Sequence, residues 1–189
     1  MTKKFKILVA SVLIFGALAT WAIHSGYERV NHYTTLENFG EHLRKEFPEV
    51  EHISTGTLVT LIRSSEAGIE SLLLIDCRTD EEFVISHIPG AIHLETIDEV
   101  AAHLDKAIDK PQTIVVYGSV GNRSAKFARQ LKEAGNQNIR NVIGSIFAWS
   151  NEDRPLIDGN GNPASKVHPF NKFWSRHLEE SRKADVLRQ

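Results

Sequence analysis

Cysteine occurs once in this chain of 189 residues, at Cys77. A single thiol excludes a disulfide within the chain, a CxxC redox pair and a zinc site built on several thiolates, so packing must hold the fold. Charge surplus is absent as well: 22 Lys and Arg face 24 Asp and Glu, a formal net of -2. Without a basic excess there is no electrostatic footprint for a phosphate backbone, which sets nucleic acid aside as a partner. The nine histidines show no spacing that would bring two or three onto one metal, and no cofactor motif, internal repeat or low-complexity block is present. What remains, 41% hydrophobic and 24% charged residues, is the balance of one ordinary globular domain with accessory sequence.

The N-terminus departs from that average. Lys3, Lys4 and Lys6 precede the uncharged run ILVASVLIFGALATWAI, residues 7–23. As a helix rising about 1.5 Å per residue it would reach roughly 25 Å, just short of a hydrocarbon core of about 30 Å. An uncleaved anchor in residues 1–23 is the expectation. Ala17-Leu18-Ala19 has the small-x-small pattern of a signal-peptide cleavage site, which keeps secretion open, and a buried soluble helix is the third reading. Lysines before the run, with the next cation only at Arg29, keep the N-terminus cytoplasmic and export the rest of the chain. The expected location is therefore a bacterial inner membrane, crossed once, with the domain facing the periplasm or exterior, or the periplasm itself after cleavage.

Residues 24–50 read as an amphipathic linker helix, with Leu36, Phe39, Leu43 and Phe47 at helical spacing and Pro48 ending it. Such a helix either spaces the domain from the membrane or packs on it. From residue 51 strands and helices alternate. VEHIS is a short strand and TGTLVTLIRSS a helix; SLLLID lacks alternation, as a parallel strand buried on both faces does. EEFVISHI reads as a helix ended by Pro89-Gly90, AIHL as a strand, and Thr96 with Glu99 as the capping box of a helix carrying Val100, Leu104 and Ile108. TIVVY is the fourth strand and NIRNVIG the fifth. This rhythm predicts an α/β fold: an open, mostly parallel five-stranded sheet over residues 51–157, with helices on both faces. DGNGNP at residues 158–163 is turn chemistry that closes the domain. The tail, residues 158–189, carries Phe170, Phe173 and Trp174 and then a charged helix.

Ligands in open parallel sheets bind beyond the carboxyl ends of strands. At one such end stands YGSVGNRSAKF, in which Tyr117 finishes a strand, Gly118 to Arg123 form a loop, and Ser124 is placed to cap the next helix. Backbone N–H groups curling at a helix N-terminus, with a guanidinium beside them, form an anion cradle. Gly118, Ser119, Val120, Gly121, Asn122 and Arg123 are its candidate residues. Ser119 and Ser124 carry hydroxyls, but no histidine is placed by sequence to act as their base.

These residues bear a name. Asp76, Arg78, Glu82, Phe83, His87, Ile88, Pro89, Gly90 and Ala91 follow the pattern D-x-R-x-x-x-E-F-x-x-x-H-I-P-G-A; Gly121, Arg123 and Ser124 follow G-x-R-S; and GSIFAW is similar to G-G-I-x-x-W. Residues 51–157 thereby resemble a single rhodanese, or sulfurtransferase, domain. In catalytic rhodaneses the loop reads C-x-x-G-x-R, and its cysteine carries sulfur as a persulfide; here Gly118 occupies the position of that cysteine. The resemblance implies a preserved cradle without its nucleophile. Asp76, Arg78 and Glu82 are then expected to brace the loop, through Arg78 or backbone amides, ahead of any acid–base role. Cys77, turned by strand alternation away from the side that Asp76 and Arg78 share, is expected to be a buried structural thiol, with a relocated nucleophile as the alternative. The expected function is a non-catalytic module that binds a small sulfur or oxygen anion or a partner protein. Sulfur transfer through Cys77 or an external thiol is its rival.

Overall fold

The computed structural model describes residues 35–186. Five parallel strands form one sheet in the order β1-β5-β4-β2-β3: β1 Glu51–Ile53, β2 Leu72–Asp76, β3 Ile92–His93, β4 Thr113–Tyr117 and β5 Ile139–Val142. Every residue of β4 is buried, which requires cover on both faces, and the connecting helices provide it. These are α2 Thr55–Glu66, α3 Asp80–Ile85, α4 Ile97–Lys106, α5 Asn122–Glu133 and α6 Ser145–Asn151. β2 leads to β3 on one side and β4 leads to β5 on the other, so the chain parts between β2 and β4, where such sheets open a crevice. Cys77 N–H donates to Tyr117 O at 3.1 Å, holding the two strand ends together at that point.

α1, Leu36–Glu46, is seated on this sheet. Thr35 caps it by accepting the Asn38 N–H, and Phe39, Leu43 and Phe47 enter the main core. Among the described residues no helix is long and apolar enough to cross a membrane; the run at residues 7–23 lies outside them.

Three local expectations need correction. The EEFVISHI helix stops at Ile85, well before Pro89, because Ser86 turns extended and His87 exchanges backbone hydrogen bonds with Ile157. α4 ends at Lys106 and leaves Ile108 fully exposed, not on its apolar face. The tail does not form a charged α-helix. After a hairpin of β6 Leu156–Ile157 and β7 Pro163–Ala164 it makes two 3₁₀ turns, Ser175–His177 and Glu180–Arg182. Val167 is buried there in a parallel bridge to Lys183, and the Trp174 ring packs tilted against Phe39 with centroids 4.7 Å apart.

Gly40 is where α1 meets the sheet most closely: a Cβ there would lie 2.5 Å from Ile143 Cγ2. Gly40→Ala should therefore lose stability in urea unfolding, because overpacking costs about 1–3 kcal/mol against the about 1 kcal/mol that alanine gains in a helix. In an Ile143→Ala background the same change should become stabilising. A stabilising Gly40→Ala in the wild-type background would mean that α1 does not sit there.

Candidate functional site

The loop after β4 owes its shape to its partners. Ile146 N–H and Phe147 N–H, at the start of α6, donate to Gly118 O and Ser119 O at 3.2 and 3.1 Å, and Gly144 N–H donates to Val120 O at 3.2 Å. With its carbonyls bound to α6, the loop turns its amides the other way. The first N–H groups of a helix lack partners within it, and among the described residues none appears for the amides of residues 119–124. Gly121 allows the curl: its φ is +113°, and a Cβ would press on Leu43 and on Val142 O at 3.0 and 3.1 Å. Gly118 N–H is committed elsewhere, to Ser145 Oγ at 3.0 Å, and that hydroxyl donates to Val142 O at 2.9 Å. Ser145 has a φ of +46°, a left-handed position that a side chain seldom takes.

Gly118 itself makes no such demand. Its φ lies outside the left-handed region, and a Cβ would meet Ser124 Oγ, Ser124 N and Arg123 Cβ at 3.5, 3.6 and 3.7 Å, ordinary contact distances. A Cβ would fit there, beside the partnerless Ser124 amide. Ser124 does not cap α5 as expected: the N-cap is Gly121 without a side-chain bond. Ser124 Oγ is instead fully buried with no hydrogen-bond partner, beside the place a side chain at 118 would fill.

Glu82 joins the loop to α3. Thr79 and Glu82 form a capping box: Glu82 Oε2 accepts from Thr79 N and Oγ1, both at 3.2 Å. Glu82 Oε1 accepts from Ser119 Oγ at 3.0 Å and from Arg123 Nη2 at 2.7 Å, and Arg123 Nη2 also donates to Ser119 Oγ at 2.9 Å. Burial pushes this carboxyl up, but the Arg123 guanidinium, aided by Arg78 and the Thr79 amide, outweighs burial and holds it below the usual range. Glu82 thus braces the loop through Arg123 and Ser119, not through Arg78. The positive charge expected to draw an anion is already paired.

Asp76 and Arg78 act one layer back. Both are fully buried and joined by Nε and Nη2 contacts of 2.7–3.1 Å; Arg78 Nη2 also donates to Ser86 O at 2.6 Å. Their pairing fixes the segment from β2 to His87 that carries Glu82, and neither touches residues 118–123 by a hydrogen bond. Cys77 lies in the core, its Sγ donating to Tyr117 O at 3.3 Å. Burial, with Asp76 adding to it, pushes that thiol up to about 12.

Sequence reasoning missed three contributors. Ser145 stands within a recognised motif, but its bond to Gly118 spans 27 residues. The Thr79-x-x-Glu82 spacing was a legible capping-box signal. Phe170 of the tail lies with its ring 4.6 Å from the Arg123 guanidinium, and nothing local to either residue announces it.

With this geometry in view, the comparisons are specific. The family model of the rhodanese-like domain matches residues 60–152. YtwF of Bacillus subtilis is 33% identical over 107 residues, covering 57% of this chain and 97% of its own length. A sulfurtransferase of Allochromatium vinosum is 30% identical over 95 residues, covering 50% of this chain and 87% of its own. The crystal structure of a thiosulfate sulfurtransferase from Pseudomonas aeruginosa shares the fold at a TM-score of 0.53 and 22% identity, over 66% of this chain and 23% of that one.

The Glu82 charge should be visible in acid. Its folded-state value lies below the ordinary 4.5, so its stabilisation is complete above that pH and is lost as pH falls through the folded value. Wild type should exceed Glu82→Gln by about 1–3 kcal/mol near neutrality, with the gap closing in more acidic buffer. An equal gap at neutral and strongly acidic pH would contradict the assignment.

Proposed function

The chain belongs to the rhodanese-like domain family, and from that premise we propose that its loop holds a small sulfur or oxygen anion without carrying sulfur covalently. The observation that carries this reading is position 118. A Cβ there would make only ordinary contacts, beside the partnerless Ser124 amide and the orphaned Ser124 hydroxyl, yet the residue is glycine and brings no nucleophile. An anion seated there would take the bonds that the amides of residues 119–124 and Ser124 Oγ leave open. Glu82 cancels the charge of Arg123, so attraction rests on the amides and the N-terminal end of α5, and binding on the order of millimolar is expected. We further propose that the module is exported and membrane-anchored. The lysine-flanked run at residues 7–23 supports that placement, and a partner protein would meet the domain there.

Sulfur transfer through Cys77 is the rival, and its chemistry is unfavourable. A thiol pushed up to about 12 by burial stays protonated at neutral pH, and the thiolate is the attacking species.

Gly118→Cys separates the two. The variant should fold, its new thiol should titrate below the roughly 8.5 of free cysteine, and thiosulfate should load one sulfur that mass spectrometry detects and cyanide removes. Wild type should load none, and thiosulfate should raise its melting temperature. Gly118→Ala, which places a methyl group among the amides, should abolish that rise. Sulfur found on Cys77 of wild type would establish the rival. A rise that survives Gly118→Ala would mean salt exclusion and not a site.

A further inference from the structure

Gly118 to Gly121 are buried and Asn122 and Arg123 half-buried although the loop lies at the open end of a sheet, and the tail covers Arg123 through Phe170. That cover is a strap pinned at both ends. At one end Val167 N–H donates to Arg182 O at 2.7 Å and Val167 O accepts from Ala184 N at 2.9 Å; at the other Trp174 packs on Phe39 of α1. Between the pins, among the described residues, no hydrogen bond crosses from residues 168–173 to the loop. The crossing contact is Phe170, stacked on the Arg123 guanidinium while Arg123 reaches the other way to Glu82 and Ser119.

Phe170 holds that position in an unfavourable backbone conformation. Its φ is +63°, the left-handed region where a side chain crowds the following carbonyl. The turn is closed by Phe170 N–H donating to His168 Nδ1 at 3.0 Å. An amide can donate only to a ring nitrogen with a free lone pair, so Nδ1 carries no proton in this conformation. Protonation there would remove the acceptor and set two N–H groups against each other, leaving the strained turn without its bond.

We propose that residues 167–174 form a lid over the loop of residues 118–123, latched by His168 as a hydrogen-bond acceptor and released when the ring takes up a proton at Nδ1. The lid regulates the site proposed above, and its use for a ligand rests on that reading. The charged groups facing His168 are Arg78 before α3, Glu81 and Glu82 on α3, and Arg123 on α5. Burial first, with Arg78 and Arg123, holds the imidazole below its ordinary 6.5 against the two carboxylates. A group depressed in the closed state keeps the latch complete above the open-state value and weakens it as pH falls below that value. Closed is therefore the neutral-pH form, and acid opens it.

The test is hydrogen exchange of the full chain, read by mass spectrometry without ligand. Rates for residues 118–124 are compared at about pH 7.5 and about pH 5 after correction for intrinsic exchange, and loop protection should fall by up to roughly tenfold per pH unit below about 6.5. Protection of β2 should not change. His168→Asn, whose Oδ1 can accept the same amide and does not titrate, should keep the loop protected at both values; Phe170→Ala should leave it unprotected at both. Unchanged loop protection in wild type, a pH dependence that persists in His168→Asn, or equal loss in β2 would each overturn the lid. No anion enters this experiment. A flat profile would remove the lid and leave the anion reading standing, whereas a wild type without a thiosulfate melting shift would remove the anion reading and leave the lid.

Discussion

A carboxylate and a guanidinium two residues apart, both withdrawn from water, set the geometry at the carboxyl edge of the sheet. Asp76 and Arg78 have no exposed side-chain surface, and such a pair depends on good mutual geometry and on further hydrogen bonds around it. Arg78 places Nε and Nη2 on Asp76 and Nη2 also on Ser86 O, while its Nη1 is buried without a partner; its own carbonyl meets His93 Nε2 at 2.7 Å. Strand end, α3 and the turn through His87 are therefore one unit. Phe83 extends that unit, lying between the rings of His87 and His93 at 3.8 and 4.9 Å. Glu82 reaches the loop because this unit presents it there.

The resulting charge arrangement differs from a simple anion hole. Glu82 shares one carboxylate between the cap of its own helix and the loop, and it neutralises Arg123 at 2.7 Å. Arg123 becomes a hub holding α3, the loop and, through Phe170, the tail. Under the proposed anion reading, attraction would fall to the unpaired amides of residues 119–124, since α6 and Gly144 take the loop carbonyls. In that reading backbone polarity would do what a free guanidinium would otherwise do. The left-handed turns at Gly121 and Ser145 are the local cost of that arrangement.

Residues beyond the sheet take part in the site. Val167 and Leu178 belong to the same core as the strands, so the tail is a packed element and not an appendage. Phe170 lies over Arg123 of the loop, and the flanking contacts of Val167 and Trp174 give the proposed lid its hinge points. Strain at Phe170 and a single acceptor at His168 are features that a permanently closed surface would not need.

Much of this was legible in the chain. Unbroken apolar runs announced β2 and β4, the Thr96 and Glu99 pair announced α4, and the motif residues from Asp76 to Ala91 announced the family. Gly118 stood out because its neighbours fit a pattern that it breaks. These signals are local: strand burial, caps and motif spacing act over fewer than about twenty residues, so neighbouring positions suffice to express them. Only the tertiary structure could decide that Arg123 is neutralised from 41 residues away, that Ser124 is orphaned and caps nothing, that Cys77 is raised by burial, and that Phe170 closes over the loop. Each is a property of side chains meeting across the fold, where burial and partner geometry set the electrostatics, and the order of residues along the chain does not encode which distant groups will meet.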